Sequence, residues 1–370
     1  MGYVAIRGGE GAIAAAVQAL EAMRCGAVEP ACEPGEPLAI AAVRSQLRLL
    51  VDRVIGEGGI YDPVRAAWAI KQAHGDPLEA SFILRAWRSQ LPRLGETAVH
   101  DTRRLRILRR ISAAFKDVPG GQVLGPSTDY LQRLFRVELL DESPESFRAA
   151  VARLPGAAAE AADFPAVVDA LRAEGLLAPV GESEAAVDIT REPLVFPIPR
   201  PARLAHMARG ETGALLAFAY STMRGYGYLH PTVAELRVGW LPVELPHPLS
   251  GELQEAGEAL ITECQIVATH GTESEPGPPR ILLGYGACFG HNETKAIAMA
   301  MCDRALMAGE ERGARHPAED SEFVICHIDG IEAMGFCNHY KLPHYVTFAS
   351  DLENIRASRA KYAEDGDGGG

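Results

Sequence analysis

The sequence predicts an α+β fold, with a mostly helical N-terminal region followed by a mixed α/β C-terminal domain of short strands. Apolar residues recur at helical spacing through the first part of the chain. Beyond residue 191 the sequence changes to short strand-like runs separated by Gly, Pro and polar turns. The chain has 370 residues, which exceeds the usual size of a single core, so we expect two domains or one domain with a large extension.

The composition divides the chain into four predicted segments. Residues 1–140 form a mostly helical domain, and residues 141–190 form an alanine-rich connector or subdomain. Residues 191–362 form an α+β domain that carries most of the candidate site residues. Residues 363–370, which are polar and rich in glycine, form a disordered tail.

Helices are predicted at four places in the N-terminal region. A short strand at 3–7 leads through Gly-Gly-Glu-Gly into the helix AIAAAVQALEAMR, and a second helix runs from Ile40 to Gly56. Two more begin at Asp-Pro pairs, where Asp caps the helix and Pro occupies its first turn. Residues 102–110 hold five arginines, and as a helix they form a basic stripe that faces solvent or a partner, or else binds phosphate or an acidic surface.

Strands are predicted in four runs of the C-terminal half. These runs are ELRVGWLPVEL, ALITECQIVAT, RILLGYGACF and EFVICHI, and one helix, ETKAIAMAMCDRAL, lies among them. Short apolar runs bounded by turn residues are typical of strands in a half-buried sheet.

Charge and composition exclude several classes of protein. The formal net charge of −13 argues against nucleic-acid binding, which requires a basic surface, but leaves a single nucleotide or a basic partner possible. No apolar run reaches about 18 residues, so no membrane span is predicted. The N-terminus lacks the pattern of a secretory signal, so we expect a cytoplasmic protein. The seven widely spread cysteines are typical of reduced thiols, and they support neither a disulfide framework nor an iron-sulfur cluster.

The segment GYGACFGHNETKA follows a predicted strand and opens a helix, an arrangement that can direct backbone N–H groups at a phosphate. It fits neither the dinucleotide fingerprint nor a Walker A loop, because Phe289 stands where the third glycine is needed and no GxxxxGK is present. Two interpretations remain. Either Lys295 and the helix N-terminus form a nonstandard phosphate site, or the glycines make a tight turn.

His339 and His344 flank Tyr-Lys-Leu-Pro, a spacing that does not put both rings on one helical face. In a loop the two rings can still converge on a metal, but zinc usually takes three or four ligands. The others must then come from elsewhere in the chain, where Cys326 and His327 are candidates, from a partner or from a substrate. The alternative is that these histidines are hydrogen-bonded structural residues.

Acidic and basic residues gather in two further stretches. His327, Asp329 and Glu332 suit a glycosyl-transfer site, although an Asp-Gly turn explains Asp329 equally well. Charged residues between 204 and 240 either line a pocket or support an interface as ion pairs; they are Arg209, Glu211, Arg224, His230, Glu235 and Arg237.

Several of these stretches together resemble the PhnI family of the carbon-phosphorus lyase core complex. They are YVAIRGGEGAI, VDRVIGEGGIYD, LRRISAAFKDVPGGQVLGPSTDY, ARGETGALLAFAYSTMRGYGYLHPT, ELRVGWLPVEL, GYGACFGHNETKAIAMAMCDRAL and DGIEAMGFCNHYKLPHYVTF. The resemblance spans nearly the whole chain. Only residues 29–37, the alanine-rich connector and the tail lack it.

The resemblance implies a subunit of a cytoplasmic complex in phosphonate catabolism. Its partners would be PhnG, PhnH and PhnJ, with the ATPase-like subunits PhnK and PhnL. The complex would transfer the ribose 5-triphosphate of MgATP to an alkylphosphonate and release adenine, and the subunit alone would act as a purine nucleoside triphosphate nucleosidase. The histidines of HxKLPH bind Zn²⁺ at the boundary with PhnJ in that family, and here they match His339 and His344.

This chemistry predicts roles for the remaining charged residues. A leaving adenine requires a proton and the sugar requires nearby negative charge, for which the candidates are Asp329, Glu332, Glu211 and Glu235. The three phosphates require cations or Mg²⁺, and the candidates are Arg209, Arg224, Lys295 and Lys341.

Two other functions remain open at this point. The chain could be a scaffold without catalytic activity that completes a zinc site at the interface with PhnJ. It could also be a free-standing metal-dependent phosphohydrolase, which the two-ligand histidine motif favours least.

Overall fold

The computed structural model describes residues 9–26, 36–154, 164–178, 187–224, 230–268 and 279–367. The chain divides into two compact units. Unit 1 comprises residues 1–39 and 331–370, and unit 2 comprises residues 40–330. Helices and one antiparallel sheet account for the described elements, which confirms the predicted α+β class.

Unit 1 is helical in its described part. It holds α1 (Gly9–Arg24), nearly all of α12 (Gly330–Tyr340) and α13 (Tyr345–Asp367). Helix α1 confirms the predicted alanine-rich helix, whereas the predicted strand at 3–7 lies outside the described residues. Helix α13 continues to Asp367, and residues 368–370 of the predicted tail also lie outside them.

Unit 2 begins with four helices, α2 (Ile40–Gln46), α3 (Arg48–Gly58), α4 (Pro63–Gln72) and α5 (Pro77–Ser89). The predicted single helix at 40–56 is interrupted at Leu47, whose φ of −106° and ψ of 40° leave the helical region. Both Asp-Pro predictions are confirmed. Asp62 accepts from the N–H of Arg65 at 2.9 Å, and Asp76 accepts from two N–H groups of the first turn of α5.

The sheet of unit 2 contains β1 (Arg106–Ile111), β2 (Pro231–Pro246), β3 (Leu253–Ala268) and β4 (Leu282–Phe289) in that spatial order, all antiparallel. The predicted arginine-rich helix at 102–110 is wrong, because most of this segment is β1. The register shifts between Ile107 and Arg109, and Arg109 and Arg110 are both fully buried. An irregularity of this kind breaks strict side-chain alternation, so two successive residues can both be buried.

The described residues of unit 2 hold six more α-helices: α6 (Pro144–Ala152), α7 (Val167–Ala173), α8 (Arg200–Arg209), α9 (Thr212–Met223), α10 (Glu293–Arg312) and α11 (Ser321–His327). Three of the four predicted C-terminal strands are confirmed, but EFVICHI is helix α11. The side chain of Asp320 accepts from the N–H of Phe323 at 3.0 Å and caps this helix. Periodicity alone does not separate a short buried strand from a short helix, and here the cap decides.

The glycines of GYGACF allow α10 to pack closely on β4. A Cβ added at Gly284 would lie 2.2 Å from the carbonyl oxygen of Ala300, and one at Gly286 would lie 2.3 Å from that of Ala296. Neither glycine makes the predicted tight turn. That turn is made by Gly290, whose φ is +80°.

Two of the four apolar clusters in the described part of unit 2 are the larger ones. One lies between the sheet and helices α8 to α11, and the other joins α2 to α5 with Phe289 packed against it. None of the helices among the described residues is both long and apolar enough to cross a membrane.

Candidate functional site

Arg85, on α5, connects two of the predicted site residues in unit 2. Its Nη1 donates to Oδ2 of Asp329 at 2.7 Å, and its Nη2 donates to the backbone oxygen of Arg209 at 2.8 Å. Its Nε donates to the backbone oxygen of Glu57 at 2.9 Å. Arg85 therefore joins the end of α3, the end of α8 and Asp329. A hydrogen-bonded network with little solvent access holds these groups in one arrangement.

Glu211 caps α9, and this role occupies both of its carboxylate oxygens. They accept hydrogen bonds from two backbone N–H groups in the first turn of α9, at 2.8 and 2.7 Å. Arg53 adds a third donor, its Nη2 lying 2.7 Å from Oε1 of Glu211, and its Nε donates to the fully buried Glu57 at 2.9 Å. The backbone N–H groups of α9 and the positive charge of Arg53 together fix the position of the Glu211 carboxylate.

Lys295 lies in the first turn of α10 with 1% of its surface exposed. Its Nζ makes no hydrogen bond to any described residue, and it is 3.6 Å from the position of a Cβ at Gly56. Burial lowers the pKa of Lys295, while Cys288 and Glu57 oppose this shift. A buried cation without a partner is costly, so this position indicates a function other than stability.

The turn that precedes α10 is attached to α3. The side-chain nitrogen of Asn292 donates to the backbone oxygens of Asp52 at 2.7 Å and Phe289 at 2.6 Å. These bonds hold the N-terminal end of α10, and with it Lys295, beside the C-terminal half of α3. The sequence placed Lys295 at a helix N-terminus but did not indicate that the residue would be buried.

Glu235, on β2, is buried away from the Arg85 network. Its Oε1 lies 2.5 Å from Nε of Arg110, and its Oε2 accepts from the N–H of Val167 at 3.2 Å. The carboxylate joins β1, β2 and the start of α7. A carboxylate with 2% exposure and these partners serves the packing of the sheet and lies outside the Arg85 network.

Arg224 lies at the opposite end of α9 from Glu211. The helix has 12 residues, which separates its ends by about 18 Å. The guanidinium carbon of Arg224 is 6.0 Å from the ring centre of Tyr220, and the side chain is exposed. The structure therefore brings Arg209, Glu211, Asp329 and Lys295 into one region of unit 2, and Arg224 lies outside it.

His339 and His344 converge within unit 1. His339 is in the last turn of α12 and His344 directly precedes α13, and their Nε2 atoms are 3.2 Å apart. Nδ1 of His344 lies 2.6 Å from the backbone oxygen of Leu342, which requires the proton on Nδ1 and leaves Nε2 of a neutral ring with its lone pair. Among the described residues no cluster of three or more His, Cys, Asp or Glu side chains is arranged to hold a metal ion.

The other predicted residues of this region have surface positions. Lys341 is exposed and donates to Oδ1 of Asn338 at 3.0 Å. Glu332 is exposed in the first turn of α12. In unit 2, His327 is exposed and bonds through Nδ1 to the backbone oxygen of Phe323, one turn earlier in α11.

Sequence reasoning missed Arg53, Glu57 and Arg85. Arg53 and Glu57 are separated by four residues in VDRVIGEGGIYD, a spacing that predicts an ion pair on a helix, yet nothing in that spacing points to Glu211. Arg85 pairs with a residue 244 positions away. No local pattern indicates contacts at such separations.

Comparison with known proteins defines the class of this chain. Residues 2–362 match the family described as "Bacterial phosphonate metabolism protein (PhnI)". The class is therefore that of bacterial phosphonate metabolism proteins, and the chain belongs to the PhnI family.

Three curated relatives match nearly the whole chain. A protein of Stutzerimonas stutzeri called "Putative C-P lyase subunit protein HtxH" is 59% identical over 98% of this chain and 97% of its own length. Two proteins called "Alpha-D-ribose 1-methylphosphonate 5-triphosphate synthase subunit PhnI" are 44% identical (Rhizobium meliloti strain 1021) and 45% identical (Escherichia coli strain K12). They cover 97% and 96% of this chain and 95% and 97% of their own lengths.

Proposed function

We propose that this chain is a subunit of a carbon-phosphorus lyase core complex that transfers the ribose 5-triphosphate of MgATP to a phosphonate and releases adenine. The observation that carries this proposal is the identity of 44–45%, over 96–97% of the chain, to relatives named as subunits of that synthase. The partners proposed are PhnG, PhnH and PhnJ, with PhnK and PhnL, in the cytoplasm. We also propose that the chain alone releases the base from purine nucleoside triphosphates.

The proposed reaction forms one bond and breaks one. A phosphonate oxygen attacks C1′ of the ribose, and the bond from C1′ to N9 of adenine breaks with its electron pair leaving on the base. Adenine then takes up a proton, so that atoms and charge balance. As the bond to the base weakens, positive charge develops at C1′, and a carboxylate placed nearby stabilises it.

The charged cluster of unit 2 supplies groups of the required kinds. Arg209 and Lys295 are the cations proposed for the triphosphate, and an anion beside Lys295 would offset the cost of burying its ammonium. Asp329, held by Arg85, is the carboxylate proposed for C1′. Glu211 is given a positioning role, because its oxygens already cap α9.

The test is chromatography of the products formed from MgATP and methylphosphonate by the full chain, with and without its partner subunits. We expect a ribose 1-methylphosphonate 5-triphosphate product only with the partners, and loss of at least tenfold in rate for Lys295→Met and Asp329→Asn. Arg148→Gln removes one charge from the exposed face of α6 and is the matched control. If adenine appears under no combination of subunits, the catalytic proposal is wrong and the scaffold function takes its place.

We propose further that His339 and His344 hold Zn²⁺ together with ligands from PhnJ or from substrate. Two nitrogens bound to one tetrahedral zinc at about 2.0–2.1 Å lie about 3.3 Å apart. The observed separation of 3.2 Å between the two Nε2 atoms fits this requirement, and the bond from His344 to Leu342 orients its ring as outer partners of metal ligands do. Bound zinc would act as a Lewis acid on a phosphoryl oxygen.

Metal content tests this site apart from activity. We expect zinc to copurify with the assembled complex in a fixed ratio and to be lost from His339→Ala and His344→Ala, while His230→Ala retains it. Equal zinc in all four proteins would mean that these histidines only bond to each other, with Nε2–H of His339 donating to Nε2 of His344.

A further inference from the structure

A cavity of about 310 Å³ opens in unit 2 beside the charged cluster. It lies between the ends of α3, α5 and α8, the segment at 189–190, and strands β3 and β4. Its lining comprises Gly56, Gly59, Arg88, Ile189, Thr190, Ala205, Ala208, Arg209, Ile261, Ala287, Cys288 and Phe289. The volume is at the lower end of the range for small-molecule sites.

One side of this cavity is cationic and the rest is mainly apolar. Among the described residues of its lining, the charged ones are Arg88 and Arg209. Thr190 gives its hydroxyl proton to Asp188 at 2.7 Å, so Arg88 is the principal donor for a ligand in the cavity. The guanidinium of Arg88 makes no hydrogen bond to a residue within the described ranges. Burial lowers the pKa of Arg88. The nearby Asp188 opposes this shift, and the positive charges of Arg85 and Arg93 add to it.

Gly59 allows both arginines to approach this wall. It ends α3 with a φ of +65°, and a Cβ there would lie 3.3 Å from both Cγ and Cδ of Arg209 and 3.3 Å from Nη1 of Arg88. A side chain at this position would be strained by the backbone and crowded by the arginines. The backbone of Arg209 is itself held by Arg85, so the cationic side of the cavity is preorganised.

Lys295 adds positive charge behind the same wall. Its unpartnered Nζ is next to Gly56, and Cys288, which also lines the cavity, influences its pKa. Two arginines line one end of the pocket and Lys295 lies behind Gly56 at that end, while the other walls are mainly alanine, isoleucine and phenylalanine. Arginine donors at that end are suited to a tetrahedral or planar oxyanion, and the apolar walls are suited to a short apolar substituent on the same ligand.

We propose that this cavity is the binding site for the alkylphosphonate substrate, with the phosphonate oxygens at Arg88 and the alkyl group against Ala208 and Ile261. This inference rests on the proposed function, because phosphonate is the substrate class that the function requires. Inorganic phosphate carries the same oxyanion without the apolar substituent, so the two ligands separate a phosphonate site from a general anion site.

The assignment is tested by calorimetry, which measures the binding of phosphate, methylphosphonate and ethylphosphonate to the full chain without ATP or partners. We expect affinity to rise from phosphate to methylphosphonate to ethylphosphonate, by about fourfold for each added carbon. Arg88→Gln should weaken all three ligands at least tenfold. Ala208→Leu should weaken ethylphosphonate more than phosphate, because the larger side chain fills the apolar part of the cavity. Arg148→Gln, which makes the same change of charge at an exposed residue outside the cavity lining, should bind as the unmodified chain does.

Three outcomes would overturn the proposal. Equal affinity for phosphate and ethylphosphonate would define a general anion site, unchanged binding in Arg88→Gln would place the ligand elsewhere, and no binding to the chain or to the assembled complex would leave the cavity without this ligand. Circular dichroism of each variant shows whether it is folded. Because binding is measured without turnover, phosphonate binding in a chain that never releases adenine would support the site and contradict the transferase function.

Discussion

Replacement of Glu235 should destabilise the sheet far more than loss of an exposed ion pair does. Arg110 and Glu235 are both almost completely buried, with 2.5 Å between Nε and Oε1. Arg110 also donates to three backbone oxygens, those of Pro119, Gly121 and Pro165, at 2.7–2.8 Å. Glu235→Ala leaves these contacts but removes the only carboxylate paired with Arg110 among the described residues.

The expected magnitude follows from the partners that remain. Removing one member of a buried ion pair costs about 3–5 kcal/mol, because the other charge stays buried without compensation. Glu235→Gln retains an acceptor for Val167 N–H or for Arg110, so it should cost less, about 1.5–3 kcal/mol. The pair Arg106–Glu258 joins β1 and β3 at 2.7 Å with 38% exposure of each side chain, so Glu258→Ala should cost under about 1 kcal/mol.

Urea unfolding followed by circular dichroism measures these differences as shifts in the midpoint at constant slope. We expect the order Glu235→Ala, then Glu235→Gln, then Glu258→Ala, from most to least destabilising. The reasoning is refuted if Glu235→Ala and Glu258→Ala shift the midpoint equally. A Glu235→Gln chain that keeps its stability but no longer releases adenine would instead support the catalytic role that the sequence indicated for Glu235.

Three further predictions concern single positions. Lys295→Met should raise the unfolding midpoint at pH 7, because it removes a buried unpartnered cation. Burial lowers the pKa of Lys295 in the folded chain, so the unmodified chain should gain stability as the pH rises from this lowered pKa towards about 10.4, the pKa of an unfolded lysine. A variant less stable than the unmodified chain at pH 7 would give Lys295 a structural role. Gly286→Ala should cost about 2 kcal/mol or more, because its Cβ would meet α10, whereas Gly95→Ala meets open space and should change little in the same urea experiment. Burial raises the pKa of Cys264 to about 12 and of Cys288 to about 11. Alkylation of the folded chain at pH 8, measured by mass spectrometry, should therefore be slow at these two thiols and fast at the exposed Cys25, Cys326 and Cys337. Equal labelling of the buried and the exposed cysteines would contradict the burial argument.

Much of the fold follows from local sequence. The Asp-Pro pairs set the start of α4 and α5, and the apolar runs bounded by turns set β2, β3 and β4. These features depend on interactions between residues close in the chain, such as capping and side-chain alternation. The family could also be recognised, because its motifs occur in order along nearly the whole chain.

The errors occur where tertiary contacts outweigh local patterns. Residues 102–110 have a composition compatible with an exposed helix, but Arg109 and Arg110 are buried in β1 by carboxylates from distant segments. EFVICHI is a short apolar run of the kind found in strands, and its cap and its packing favour α11 instead. The energy differences that come from secondary-structure propensity are small compared with the energy of placing a buried charge beside its partner.

The sequence alone determined the residue types available for chemistry, and it allowed His339 and His344 to converge in a loop, where the structure places their Nε2 atoms 3.2 Å apart. Only the tertiary structure separated the candidates in unit 2. It buried Lys295 without a hydrogen-bond partner among the described residues, joined Asp329 to Arg85 across 244 residues and placed Glu235 in the packing of the sheet. The physical reason is that the energy of a charged group depends on its neighbours and its solvent access, and both are set by contacts between residues far apart in the chain.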